Sequence, residues 1–361
     1  MTKSQNAITS DAVLNILKNY LDPESGRDIV KTRQVKSVEV DGSTIRIELG
    51  LTSMMRPIAG IVCDEVTSLL RESLGESIRV ELKIVDHQRG AYPQGEFRLK
   101  IKSIIAVGSG KGGVGKSTVA SLLALSLARQ GATVGLLDAD IYGPSIPHLL
   151  GIVDMPEALD GRIVPIETEG LKVLSMGMLV QRHEAMMWRG PMLHGVLTQF
   201  FRDTEWGELD YLIVDMPPGT GDVPMSLVNL APMTGAVVVC TPQPVAILDA
   251  VRAVSMFRKI ELPILGVVEN MSGFYCTKCG ERHDIFGTGG TSDKALQLGI
   301  PLLAELPINV AMRVSGDAGS LAELLDDPDV GSHIESLSRN LVRGIAEQRR
   351  SNPPTPKLTV L

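Results

Sequence analysis

The strongest chemical signal in the 361-residue chain is the run Gly110-Lys111-Gly112-Gly113-Val114-Gly115-Lys116-Ser117-Thr118. It fits G-x-x-x-x-G-K-[ST] and lies between an apolar strand-like run, 104–107, and a helical stretch, 119–129. Glycines let successive backbone N–H groups converge on phosphate oxygens, and the helix N-terminus adds a favourable dipole. Lys116 is placed to reach the β- and γ-phosphates, and Ser117 to ligate Mg²⁺. A second lysine, Lys111, exceeds what a simple nucleotide site needs. It is either a solvated loop residue or a cation for the phosphates of a nucleotide in a neighbouring subunit, in the manner of an arginine finger.

Two acid-terminated strands complete a phosphoryl-transfer set. Tyr211-Leu212-Ile213-Val214-Asp215 reads as a Walker B strand, with Asp215 holding Mg²⁺ through water and Gly219 meeting the γ-phosphate. Leu137-Asp138-Ala139-Asp140 ends another strand, with Asp140 orienting the attacking water and Asp138 near Mg²⁺; a strand-end cap is the alternative for either. Tyr142-Gly143-Pro144-Ser145 reads as a switch loop.

Cys276-Thr277-Lys278-Cys279 is the second chemical signal, because C-x-x-C spacing lets two thiolates share one metal centre. A [4Fe–4S] cluster takes four cysteines, and a two-fold homodimer with both loops on its axis supplies them. The competing readings are a zinc knuckle using His283, a redox dithiol and two thiols without a role. Cys63 and Cys240, in apolar surroundings, read as core residues.

The elements that must position these groups fall into two sections. Residues 1–85 read as a small α+β domain of order α-β-β-α-β. Ser10 is the expected helix cap, a hairpin turns at Asp41-Gly42-Ser43, and a helix at 58–74 precedes a strand at 78–85. Residues 86–99 read as a linker. Residues 100–345 alternate helices with short apolar strands (104–107, 134–137, 212–214, 236–239, 264–268), the pattern of an α/β P-loop NTPase with a mostly parallel sheet buried on both faces. Residues 346–361 read as a flexible, solvated tail.

Composition sets the class. With 44% hydrophobic and 21% charged residues the chain is an ordinary globular protein, and its net charge of -7 speaks against a dedicated nucleic-acid binder. No run is apolar and long enough to cross a membrane, and Met1-Thr2-Lys3-Ser4-Gln5-Asn6 lacks a signal core. Four cysteines are too sparse for a secreted disulfide framework, so a cytoplasmic setting is expected.

The P-loop resembles the deviant Walker A of the SIMIBI class. Asp138-Ala139-Asp140-Ile141-Tyr142-Gly143-Pro144-Ser145, Trp188-Arg189-Gly190-Pro191, Asp215-Met216-Pro217-Pro218-Gly219-Thr220-Gly221-Asp222, Thr241-Pro242-Gln243 and Asn270-Met271-Ser272, together with the C-x-x-C, are similar to the Mrp/ApbC family of iron–sulfur cluster carrier ATPases. The first section, through Asp22-Pro23-Glu24-Ser25-Gly26-Arg27-Asp28-Ile29-Val30, resembles the PaaD-like iron–sulfur assembly domain. It departs from that domain at Ser53-Met54-Met55-Arg56-Pro57, where a cysteine is common, so an adaptor or docking role suits it better.

The resemblance implies a homodimer that sandwiches ATP, with Lys111 acting across the interface and Asn270 near the adenine. It also implies a cluster bridged by Cys276 and Cys279 of each subunit and passed from an assembly scaffold to apo iron–sulfur clients. Slow ATP hydrolysis coupled to loading or release is the expected activity, without nucleic acid or membrane as partner. A Min- or partitioning-type positioning ATPase is the alternative. It leaves the C-x-x-C unexplained, and the prolines at 353, 354 and 356 prevent a membrane-binding helix from running to the end.

Overall fold

The computed structural model describes residues 8–354, apart from 142, 180–189 and 277. The chain divides into two compact units, Met1–Gly90 with Val342–Leu361, and Ala91–Leu341.

The first unit contains α1 (Ser10–Leu17), β1 (Val35–Asp41), β2 (Thr44–Leu51), α2 (Ala59–Leu74) and β3 (Arg79–Asp86). The hairpin closes at the Asp41–Thr44 pair, where Gly42 supplies the positive φ the turn needs, and β3 joins parallel to β2. Val62, Val66 and Leu70, spaced at i, i+4, turn one face of α2 inward, and Ile45, Ile47 and Leu49 alternate inward from β2. The helix cap differs from expectation. Thr9 is the N-cap, its hydroxyl accepting from Ala12 N, while Ser10 begins the helix and donates to Val38 O.

The motif at 22–30 folds around a buried acid. Asp22 accepts from Arg89 at 2.5 Å and from Gln34 at 2.9 Å, and Glu24 accepts from the Thr52 hydroxyl. Burial pushes the Asp22 carboxyl up, but Arg89, Ser25 and Gln34 outweigh it and hold the acid below the usual range.

The tail expected from 346 is helical as far as Ser351, in α11 (Gly331–Ser351). The end of that helix belongs with the first unit. Arg350 lies 5.0 Å from the centre of the Tyr20 ring and pairs with Glu65 at 2.8 Å, and Tyr20 donates to Glu65 at 2.6 Å. Arginines that read as solvated in sequence are therefore held by residues far away along the chain.

The second unit starts with β4 (Ile101–Ser109), α3 (Lys116–Arg129), β5 (Val134–Asp138), α4 (Ile146–Leu149), the ribbon β6–β7 (Glu157–Leu159, Arg162–Val164) and the hairpin β8–β9 (Ile166–Thr168, Leu171–Ser175). Next come α5 (Met176–Leu179), α6 (Gly190–Arg202), β10 (Leu209–Asp215), α7 (Asp222–Leu230), β11 (Gly235–Cys240) and α8 (Pro244–Lys259). The unit closes with β12 (Ile264–Tyr275), β13 (Arg282–His283), α9 (Gly290–Leu298), β14 (Leu302–Ile308) and α10 (Val310–Ala318), followed by the start of α11.

Among the described residues nine strands form one sheet, in the order β13-β12-β11-β4-β10-β5-β9-β8 with β14 beside β12. All pairings are parallel except those of β13 and β8 at its margins. Every residue of β5, β10 and β11 is buried, as apolar runs sandwiched between helices require. Phe200, Phe201, Trp206 and Tyr211 anchor the core, with the Trp206 indole donating to Phe200 O at 2.9 Å. This topology puts β4 between β10 and β11, so the loop leaving β4 opens where the helices diverge to opposite faces.

Candidate functional site

The P-loop runs from the end of β4 into α3. Gly113 and Gly115 take φ of 78° and 80°, a conformation that disfavours a side chain. Two glycines also permit close approach: a Cβ on Gly110 would stand 2.0 Å from Asp249 O, and one on Gly115 would stand 2.2 Å from the Asn270 amide nitrogen. Asn270 donates to Val114 O at 2.9 Å and so braces the loop from β12. Helix α3 is buried through most of its length, including Val119, Leu122, Leu123 and Leu127, which fixes its N-terminus firmly beneath the loop.

Lys116 is the electrostatic centre. Its ammonium lies 2.5 Å from Asp215 Oδ1, 3.5 Å from Asp140 and 3.3 Å from Ser117 Oγ. Asp138 and Asp215 face each other in the β5–β10 register. Burial and the Asp215 charge push the Asp138 carboxyl up to about 7. Burial also raises Asp215, against the opposing charge and hydrogen bond of Lys116. Asp138 accepts from Ser175 Oγ, Ile146 N and Asp140 N, so it shapes the 139–146 loop as well as facing Asp215. Asp140 accepts from Gly143 N at 3.3 Å, and Gly219, with φ of 92°, donates to Ser109 O. Lys111 is half-buried at the mouth, beside the glycine turn.

Asp215 Oδ2 is buried without a hydrogen-bond partner. A carboxylate oxygen with an open lone pair next to a serine hydroxyl suits a hard, oxygen-seeking cation, so Mg²⁺ fits these residues. The network brings Lys116, Ser117, Asp138, Asp140 and Asp215 together as the spacing predicted. Tyr142 of the expected switch loop, and Trp188 and Arg189 of the Trp188-Arg189-Gly190-Pro191 motif, lie outside the described residues.

The cysteine pair follows on β12, the strand that carries Asn270. β12 and β13 form a hairpin through the Phe274–His283 and Tyr275–Arg282 pairs. Cys276 N donates to Glu281 O and Gly280 N to Cys276 O, closing a tight knuckle. Cys276 is half-buried and Cys279 exposed. Hydrogen bonds from the Lys278 and Cys279 backbone, then from the Cys279 side chain, hold the Cys276 thiol below its usual range, which favours the thiolate that binds metal. Among the described residues no three His, Cys, Asp or Glu side chains gather as a group that could hold a metal. Cys240 is buried, its thiol pushed up to about 11 by burial. Cys63 is only half-buried, less enclosed than its apolar neighbours suggested.

Three contributors carry no motif. Ser175 holds Asp138, Asp249 crowds Gly110, and Glu269 beside Asn270 is buried with one oxygen unpartnered. The signal available for Glu269 was an acid ending an apolar strand, as in Asp138 and Asp215.

Residues 100–345 match the family model described as NUBPL iron-transfer P-loop NTPase, and residues 10–82 match an iron-sulfur cluster assembly protein model. The chain belongs to the iron-transfer P-loop NTPase family. Nucleotide chemistry at the P-loop is therefore the property of the second unit, and the α/β reading with a small leading domain holds. Among its relatives, a Deinococcus radiodurans protein named iron-sulfur cluster carrier protein is 44% identical over 342 residues, 93% of each chain. A protein of the same name from Salmonella typhimurium is 40% identical over 93% of this chain and 90% of its own. The solved nucleotide-binding protein from Archaeoglobus fulgidus, in complex with ADP, superposes with a TM-score of 0.57 at 41% identity, covering 63% of this chain and 90% of that one. No described helix is long and apolar enough to cross a membrane.

Proposed function

We propose that the protein is an ATP-dependent iron–sulfur cluster carrier: it binds a cluster as cargo through Cys276 and Cys279 and hands it to apo-protein clients. The observation that carries this reading is that one strand, β12, bears the P-loop brace Asn270 and runs directly into the cysteine knuckle at Cys276. A nucleotide site and a thiolate pair on one strand suit a carrier whose cargo grip depends on nucleotide state. The carrier names of relatives 40–44% identical over nearly the whole chain support it.

In this reading Gly110, Gly112, Gly113, Val114, Gly115 and Thr118 cradle the phosphates with backbone N–H groups. Lys116 leaves Asp215 to pair with the β- and γ-phosphates, which exchanges one anion for another and keeps the lysine neutralised. Mg²⁺, held by Ser117 and Asp215, supplies neutralisation of the phosphate charge. Asp138 keeps the 139–146 loop in place, Asp140 orients the attacking water, and Gly219 lies against the γ-phosphate. Lys111 reaches the nucleotide of the partner subunit in a homodimer. Two cysteines per chain make four across a two-fold axis, the ligand set of a bridging [4Fe–4S] cluster.

Cluster transfer tests the reading. Protein loaded anaerobically is mixed with a metal-free [4Fe–4S] enzyme as client, with and without MgATP. Client activity should return at a rate that depends on nucleotide. Failure of the client to regain activity from loaded protein would contradict the carrier role.

A further inference from the structure

The end of β12 is not a regular strand. Met271 takes a φ of 61°, in the left-handed region that a bulky side chain avoids, and Gly273 follows at 105°. The register between β12 and β14 slips between Asn270 and Phe274, so the strand carries a bulge there. Three side chains hold this bend. Asn270 donates to Val114 O in the P-loop at 2.9 Å. The Ser272 hydroxyl donates to Glu269 at 2.6 Å, leaving the other Glu269 oxygen buried and unpartnered. From β13, Arg282 donates to Ser272 O at 2.9 Å and, through Nε, to Asp284 at 2.9 Å. The Arg282 guanidinium also packs against Gly273, where a Cβ would stand 3.0 Å from Nε.

These contacts form a chain with the P-loop at one end and the cysteines at the other. Asn270 touches the loop, Met271 is the strained joint, and Ser272 is held by the arginine of the strand that closes the cysteine knuckle. Strain at Met271 and an unsatisfied Glu269 mark a bend with stored cost, the kind of element that has a second arrangement within reach.

We infer that Arg282 is a positioning residue that transmits nucleotide occupancy of the P-loop, through the Asn270–Ser272 bend, to the geometry of Cys276 and Cys279. This rests on the carrier reading for its biological meaning, but the coupling itself is a property of the cluster-free chain. When phosphate fills the P-loop, Val114 O shifts, and Asn270 follows or lets go. The bend relaxes, Ser272 O moves against Arg282, and the β13 side of the knuckle moves with it.

The test is thiol alkylation of the full-length, metal-free protein, read at individual cysteines by peptide mass spectrometry, with and without a non-hydrolysable ATP analogue and Mg²⁺. In the wild type the nucleotide should change the alkylation rate of Cys276 about fivefold, a typical size for coupling between sites, with Cys63 in the other unit as an unresponsive internal control. Arg282→Ala should remove most of that response, and Arg282→Lys, which keeps one donor for Ser272 O, should restore part of it. An equal response in Arg282→Ala, or none in the wild type, would overturn the inference. So would loss of nucleotide binding by Arg282→Ala, because the arginine would then act on the P-loop itself. Cluster reconstitution of the wild type is scored separately, so a chain that couples without taking a cluster refutes the carrier reading alone.

Discussion

Gly115 is the most constrained residue of the nucleotide site, since its φ of 80° and the Asn270 amide 2.2 Å from a would-be Cβ both exclude a side chain. Gly115→Ala should lower nucleotide affinity at least about tenfold, equivalent to about 1.4 kcal/mol, measured by titration calorimetry. Unchanged affinity would mean that the loop tolerates a different path. In the first unit Asp22 sets a pH dependence. Its folded carboxyl titrates below the usual value, so the folded state binds that proton less readily than the unfolded chain. The stabilisation is complete above about pH 4 and is lost as pH falls from there through the lowered folded value. Hydrogen exchange at the β1–β3 amides, followed from pH 6 to pH 3, should show protection falling steeply below about pH 4. Asp22→Asn should flatten that fall, and an unchanged slope would assign it to other carboxylates.

At the scale of elements, the last turns of α11 are the clearest departure from what the sequence offers. Gln348-Arg349-Arg350-Ser351 followed by Asn352-Pro353-Pro354 has the composition of a solvated end, yet Arg350 is held by Tyr20 and Glu65. A partner about 300 residues distant leaves no trace in local pattern. Arg350→Ala should cost the first unit about 1–3 kcal/mol, combining a partly exposed cation–π contact with charge-assisted hydrogen bonds to both Glu65 carboxylate oxygens and one to the Tyr20 hydroxyl. Hydrogen exchange at the β1–β3 amides reads this directly in the first unit. Unaltered protection would show the helix end to be a passive neighbour. The P-loop and the strands 104–107, 212–214 and 236–239 were legible because strands buried on both faces must be continuous apolar runs. Strands β9 and β14 and the short marginal strands β8 and β13 were not, because their residues are too few or too mixed to carry a period. Among the site residues, Lys116, Asp138, Asp140 and Asp215 followed from spacing and strand-end position. Ser175, Asp249, Glu269 and Arg282 did not, because only tertiary contact gives them a role.

On the scale of the whole molecule, the proposed carrier works as two copies of the chain. Of the four cysteines only Cys276 and Cys279 lie together in the knuckle, and among the described residues no group of three His, Cys, Asp or Glu gathers to hold a metal. In the proposed carrier a four-thiolate cluster takes a second knuckle, and Lys111, half-buried, is proposed to act on the nucleotide of the second chain. The net charge of -7 per chain, -14 for a pair, opposes association only through long-range repulsion that salt screens. The most direct test is anaerobic reconstitution with iron and sulfide, followed by native mass spectrometry and iron analysis of wild type and Cys276→Ser. The wild type should form a dimer with one cluster, about four irons per two chains, and the variant should lack it. A monomer that keeps a cluster, zinc retained instead of iron, or a variant that loads as well as the wild type would contradict the proposed carrier.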